Sequence, residues 1–167
     1  FALREGVTVP VPQNVRDAWT GHVERLLQGC TPQDRAALEL ASVLGQSVIA
    51  AEWAQACREA GLKPPWYLIE RLIDRRLARP SSGGQHLGWS FAHEMLRECI
   101  EHGAEQGGRL ARHHRVCANM LKSTTGDLAA GRVGRHLMAA GDDEGALDAL
   151  YRGTNNLIEE GDLGPAR

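Results

Sequence analysis

The chain has 167 residues, with 19 basic against 21 acidic side chains and a formal charge of −2. At 43% hydrophobic and 24% charged it is globular rather than disordered, and its length suits one domain or two small ones sharing a core. No apolar run approaches the ~20 residues that span a bilayer, and the near-neutral balance lacks the basic excess of a dedicated nucleic-acid binder.

Helical periodicity dominates from the N-terminal side onward. After Pro10 and Pro12, residues Val15, Trp19, Val23, Leu26 and Leu27 are spaced as one face of a helix that Gly29-Cys30 ends. Thr31-Pro32-Gln33-Asp34 is a helix start: Thr31 as N-cap, Pro32 in the first helical position, Asp34 in the first turn. Ala37, Leu38, Leu40, Ala41 and Leu44 follow, closed by Gly45. A third helix is predicted over about 50–60, with Trp53, Ala54 and Cys57 inward. Pro64-Pro65 opens a fourth, with Trp66, Ile69, Leu72, Ile73 and Leu77 on its buried face and Pro80 as its stop.

Ser81-Ser82-Gly83-Gly84 reads as a turn, and Leu87 to Phe91 alternates as a short strand does, with a partner around Leu77 to Arg79. Three short helices followed by a hairpin is the order of a winged-helix unit, its wing at Ser81 to Gln85. From His93 the helical period returns through Leu96, Cys99 and Ile100, breaks at Gly103, and resumes through Leu110, His113, Cys117, Met120 and Leu121. A loop at Ser123 to Gly126 leads to two helices, about 128–140 and 144–160, joined by Gly141-Asp142-Asp143. Leu137, Ala140, Ala146, Leu147, Leu150 and Leu157 are their apolar knobs. One such hairpin matches the ~34-residue unit of a tetratricopeptide (TPR) array, and a lone unit has to lean on neighbours.

Sites for chemistry are few. The sequence holds no G-x-x-x-x-G-K-[ST] phosphate loop and no G-x-G-x-x-G, and no serine or cysteine has a nucleophile's context. His93-Glu94 begins like H-E-x-x-H, but the fifth position is Arg97, a cation that cannot ligate zinc. His113 and His114 are adjacent, so they leave a helix in different directions and do not chelate one metal. Neither a catalytic residue nor a metal site is expected. Cys30, Cys57, Cys99 and Cys117 lack paired spacing and read as reduced small hydrophobes, which suits a cytoplasmic protein. Arg71, Arg75, Arg76 and Arg79 are the nucleic-acid candidates, on what would be the recognition helix. Glu70 and Asp74 interleave with them, so intrahelical pairing on a solvated face is the favoured reading over phosphate contact.

Lys63 and Lys122 are the only lysines, and with so much Ala and Gly this composition suggests a GC-rich bacterial genome. The chain opens on Phe1 and closes on Gly164-Pro165-Ala166-Arg167, where a further helix would start, so a piece of a larger protein is expected.

Several strings, in their order, resemble STAND-type signal-transduction NTPases, the large regulators related to NB-ARC proteins and to the maltose-regulon type of activator. Val11-Pro12 with helix 13–28, Thr31 to Asp34, and Ala41-Ser42-Val43-Leu44-Gly45 resemble the segment after their ATPase core. Phe91-Ala92-His93-Glu94-Met95-Leu96-Arg97 is similar to the F-x-H-[DE]-x-[LV]-R signature that closes their winged-helix domain. Arg109 to Ala118, with His113 and Val116, is similar to the R-x-x-L-H-x-x-V-A helix that follows, departing from it at Arg112. Arg135-His136-Leu137 and Ala139 to Asp142 resemble the start of their helical repeats.

The resemblance implies a mainly α fragment: a linker segment and helix at 1–30, a winged-helix domain at 31–102, and a TPR-like repeat segment at 103–167. It implies a regulatory, non-catalytic part of a multidomain ATPase, with no cofactor of its own while the parent binds ATP or ADP and Mg. Its partners would be the parent's own ATPase core and its sensor and effector domains. His93 resembles the MHD histidine that reaches the ADP β-phosphate; the other reading has it capping or packing at the strand-to-helix junction. The alternative function is a DNA-binding winged-helix transcription regulator.

Overall fold

A computed structural model describes residues 13–81, 87–125 and 129–159. Among them are eight helices and three short strands. In chain order these are α1 (Gln13–Leu27), α2 (Pro32–Leu44), β1 (Ser47–Ile49), α3 (Ala50–Glu59), α4 (Trp66–Asp74), β2 (Ala78–Pro80) and β3 (Gly88–Phe91). The helices α5 (Glu94–Gln106), α6 (Leu110–Thr125), α7 (Ala130–Ala139) and α8 (Asp143–Glu159) follow. The fold is mainly helical, with one small antiparallel sheet.

Helix α2 starts where its caps predict. Asp34 N–H donates to Thr31 Oγ1 at 3.2 Å and Thr31 N–H donates to the Asp34 carboxylate at 2.9 Å, so two orphan donors are satisfied reciprocally. The sheet has β3 in its centre, with Val48 opposite Trp89 on one side and Pro80 opposite Trp89 on the other. Gly88 is where β1 presses closest: a Cβ there would stand 2.1 Å from the Val48 carbonyl oxygen. Ser47–Ile49 was not predicted as a strand, since three residues carry no readable alternation. The predicted wing, Ser81 to Gln85, falls almost entirely on residues 82–86, outside the described residues.

The first core packs α1, α2, α3, α4 and α5 around Trp53, which is fully buried and donates its indole N–H to the Ala37 carbonyl at 2.7 Å. Trp89 sits edge-on to Trp53 and to Phe91, at 6.0 and 4.7 Å between ring centroids. The second core gathers Ala118, Met120, Leu121, Val133, Leu137, Ala146 and Ala149 from α6, α7 and α8. Helix α6 serves both, because Cys117 packs into the first core and its neighbour Ala118 into the second. Cys57 and Cys117 are buried, and burial pushes both thiols up to about 12. None of the four cysteines is in a disulfide, and Cys30 alone is half-exposed.

Four predictions need correction. Helix α4 ends at Asp74, not near Pro80: Arg76 takes φ 58°, turning the chain so that Leu77 enters the core from a loop. Trp66 is 45% exposed rather than buried, while Leu68 is fully buried in its place. The helix does not break at Gly103; α5 runs on to Gln106, and the turn comes at Gly108, whose φ of 66° suits glycine. Residue 102 lies inside α5, and the first core takes in Cys117 of α6. On the hairpin, Leu137, Ala140 and Ala146 are buried as expected, but Leu147 and Leu150 are exposed at 69% and 38%. Leu157 lies outside the residues whose side chains are described. No helix among the described residues is long and apolar enough to cross a membrane.

Candidate functional site

The residues singled out in the sequence fall in separate places. His93 stands between β3 and α5, at the N-cap position of α5, and makes no capping hydrogen bond with its side chain. Its imidazole is exposed and lies against Trp19 of α1, with ring centroids 5.3 Å apart; His22 lies 5.8 Å from the same indole. Among the described residues nothing hydrogen-bonds to the His93 ring.

The four arginines do not share one helix. Arg71 is in α4, Arg75 caps its C-terminus, Arg76 makes the left-handed turn and Arg79 is in β2. Arg71 donates through Nη2 to Cys30 Sγ at 2.8 Å and lies 5.7 Å from the Tyr67 ring, whose hydroxyl donates to Asp34 at 2.8 Å. Arg75, Arg76 and Arg79 are exposed and form no ion pair among the described residues, so the expected pairing with Glu70 and Asp74 is absent. The physical reason is the early end of α4, which removes the helical spacing that such pairs need.

Two polar clusters were not anticipated. The first is buried. Glu39 of α2 is 2% exposed, and Arg109 forks onto it through Nε at 2.9 Å and Nη2 at 2.8 Å. His113 Nε2 completes the group at 2.9 Å from the same carboxylate. Burial pushes the Glu39 carboxyl up, but the hydrogen bonds and charges of His113 and Arg109 outweigh it, and the group ends below its ordinary 4.5. The sequence did carry a signal for this: one acid inside Ala37 to Val43, an otherwise apolar run, cannot be buried without partners. Arg112, the departure from the family pattern, is exposed one position before His113.

The second cluster surrounds a cleft of about 330 Å³ between the C-terminal end of α2, the first turn of α5, and helices α6 and α7. Val43, Leu44 and Gly45 form its apolar side; Gln46, Glu94, Arg97, His114, Arg132, Arg135 and His136 form its polar one. Arg97 is held by Glu94 (2.8 Å), Glu101 (2.7 Å) and the Ser42 carbonyl (3.2 Å). Arg132 is held by both oxygens of Glu52 on α3, at 2.8 and 2.6 Å. Arg135 makes no such bond among the described residues. His114 and His136 face each other with Nδ1 atoms 3.0 Å apart, so one ring donates and the other must keep a lone pair. Burial, His114 and the charges of Arg132 and Arg135 push His136 down to about 4; burial and then His113 push His114 down as well. The adjacent histidines of α6 thus diverge as predicted, His113 to Glu39 and His114 to the cleft. No single stretch of sequence announces this site, because its groups come from four helices.

Compared with protein-family profiles, with curated proteins and with solved structures, the chain finds no match.

Both clusters lose stability in acid, over different pH ranges. Folding lowers the Glu39 carboxyl, so its contribution is complete at neutral pH and is lost as the pH falls below about 4.5. Glu39→Gln should cost about 1–3 kcal/mol at pH 7 in urea denaturation, and the gap to wild type should close in that acid range. A gap that stays constant down to pH 3 would show that the carboxylate's charge contributes nothing. For His136 the loss comes earlier: the unfolded chain binds a proton near pH 6.5 that the folded chain refuses until about 4. Wild type should therefore lose stability over pH 6.5–4, by about 3 kcal/mol at most, and His136→Gln should remove most of that slope. An unchanged slope in the variant would assign the loss to other groups.

Proposed function

We propose that this chain is a regulatory, non-catalytic part of a STAND-type ATPase, joining the nucleotide state of an ATPase core to sensor or effector domains through protein contacts. In this reading the stretch from α2 to β3 is a winged-helix unit and α6 to α8 begin a TPR-like array. The order α2-β1-α3-α4-β2-β3, with β3 central, supports the first part. The buried bridge from Glu39 to Arg109 and His113 ties the Arg109 to Ala118 string to α2, the helix whose start and end carry two more of the strings.

The observation that carries the switch is the state of His93: exposed, without a capping bond, and with its ring against Trp19. An imidazole so placed is free to donate to a phosphate offered by another domain, and docking then depends on which nucleotide that domain holds. In the intact parent, His93→Ala should remove a bond present only in the closed state. Hydrogen bonds to charged groups are worth about 1.5–3 kcal/mol, which shifts a two-state equilibrium roughly 10- to 150-fold toward open. Faster ADP release and partial activity without signal are expected. The chain alone should keep its wild-type melting temperature, whereas Phe91→Ala and Leu96→Ala should each cost ~2–5 kcal/mol through core loss. His93→Ala melting as badly as those two, or ADP release unchanged in the parent, makes His93 a structural residue.

The exposure of Arg75, Arg76 and Arg79, without acidic partners among the described residues, favours the second reading, a DNA-binding winged-helix regulator. With Arg71 already committed to Cys30 and Tyr67, about three phosphates can be neutralised, giving a log K against log salt slope near −3. Weak, sequence-independent binding of that kind is expected in filter or anisotropy titrations. A sub-micromolar complex with one DNA sequence at physiological salt would put the second reading first.

A further inference from the structure

We propose that the contact between His114 and His136 is a latch that acid releases: protons on both imidazoles loosen the α7–α8 hairpin from α6 while the first core stays folded. The two rings meet head-on across the α6–α7 interface, with Nδ1 atoms 3.0 Å apart and ring centroids 5.2 Å apart. Each neutral imidazole carries one N–H, so one Nδ1 donates and the other accepts. A first added proton goes to the outer Nε2 of the donating ring and leaves this bond in place. A second has to go onto the accepting Nδ1. Two N–H groups and two positive charges then face each other at hydrogen-bond distance.

The surroundings do not compensate that charge. On α7, Arg132 and Arg135 act on His136; on α6, His113 acts on His114; on α5, Arg97 and Glu94 line the same cleft. The end of α2 adds Val43, Leu44 and Gly45, none of them charged, and among the described residues α8 adds nothing to the lining. Glu52 of α3 favours a proton on His136, but Arg132 holds both its oxygens, and Glu94 is held by Arg97. Among the described residues neither ring is hydrogen-bonded to a carboxylate, whereas His113 lies on Glu39. Two further polar ties cross the same boundary, Arg132 to Glu52 and Arg115 to the Ala140 carbonyl at 3.3 Å. The hairpin's buried apolar residues belong to the second core. The Glu39 carboxyl lies below its ordinary 4.5, so at pH 5 that cluster keeps its charge and α6 stays on α2. The joint that acid reaches first is the one between α6 and α7.

The latch does not depend on the ATPase reading. An open hairpin returns His136 to its ordinary 6.5, while the closed one refuses the proton until about 4. Through that residue alone, going from pH 7.5 to pH 5 raises the opening equilibrium about 30-fold. The test is amide hydrogen exchange of the whole chain at these two pH values, corrected for the intrinsic exchange rate. Protection in α7 and α8 should fall about 30-fold, while protection in α2 and α3 is kept. His136→Gln should leave a change of at most about 3-fold. His102→Gln, at a histidine that pairs with Glu105 outside the cleft, should behave as wild type. In the wild-type chain alone, the His136 imidazole NMR signal should titrate well below pH 6. Four results each overturn the latch: α2 and α3 losing protection in step with the hairpin, a hairpin unchanged at pH 5, an undiminished fall in His136→Gln, or a wild-type His136 midpoint near 6.5.

Discussion

Glu39 is a carboxylate in the middle of an apolar helix face, and the arrangement of the other helices follows from how it is accommodated. Leaving its charge buried and alone would cost several kcal/mol, a large part of the marginal stability of a domain this size. Its partners come from seventy residues later in the chain, Arg109 at the turn before α6 and His113 one turn into that helix. Satisfying one acid thus places α6 against α2. Once α6 is there, Cys117 closes the first core and Ala118 opens the second, so α7 and α8 have a surface to lean on. A hairpin of two helices that could not bury its own face becomes part of the same body.

The cleft is a consequence of that placement. It lies where the end of α2, the start of α5 and the hairpin helix α7 meet α6, and its histidine from α6 is the residue next to the one that binds Glu39. One turn of α6 therefore carries a structural group on one side and a cleft-lining group on the other. Electrostatically the two sides differ. The Glu39 cluster is internally satisfied, with every charge matched at close range. The cleft holds matched pairs at Arg97 and Arg132, and an Arg135 with no ion-pair partner among the described residues. Internal matching marks a group that holds the fold, and open valence marks a group that can meet something else.

His93 and the arginines near α4 belong to the second kind by exposure. His93 leans on Trp19, so α1 supports the ring from one side and leaves its nitrogens available. Helix α1 shares the first core through Val23, Leu26 and Leu27, and it contacts α5, so it is an integral wall of this unit. The regulatory reading uses that rigidity: a donor fixed on a packed junction reports the position of whatever it meets.

Much of this was legible in the sequence, because it depends on local chemistry. The capping box at Thr31 and Asp34, the glycine turn before α8, the strand at Trp89 and Phe91, and the inward stripes of α2, α3 and α6 are short-range patterns that a reader can count. What short-range patterns could not reveal were the end of α4 and the partners of charged groups. The periodicity of Leu72, Ile73 and Leu77 reads as one helix, yet Arg76 turns left-handed because Leu77 has to reach the core beside β2. Gly103 looks like a break, yet packing carries α5 past it. The strand β1 is three residues long and exists only because β3 lies beside it. Glu39 was visible as an anomaly but not its answer, since ion-pair partners are chosen by proximity in space and the sequence records only proximity along the chain. Helix starts, turns and buried faces were therefore determined residue by residue; the cleft, the buried ion cluster and the exposure of His93 were decided by tertiary packing, which alone brings distant charges within hydrogen-bond reach.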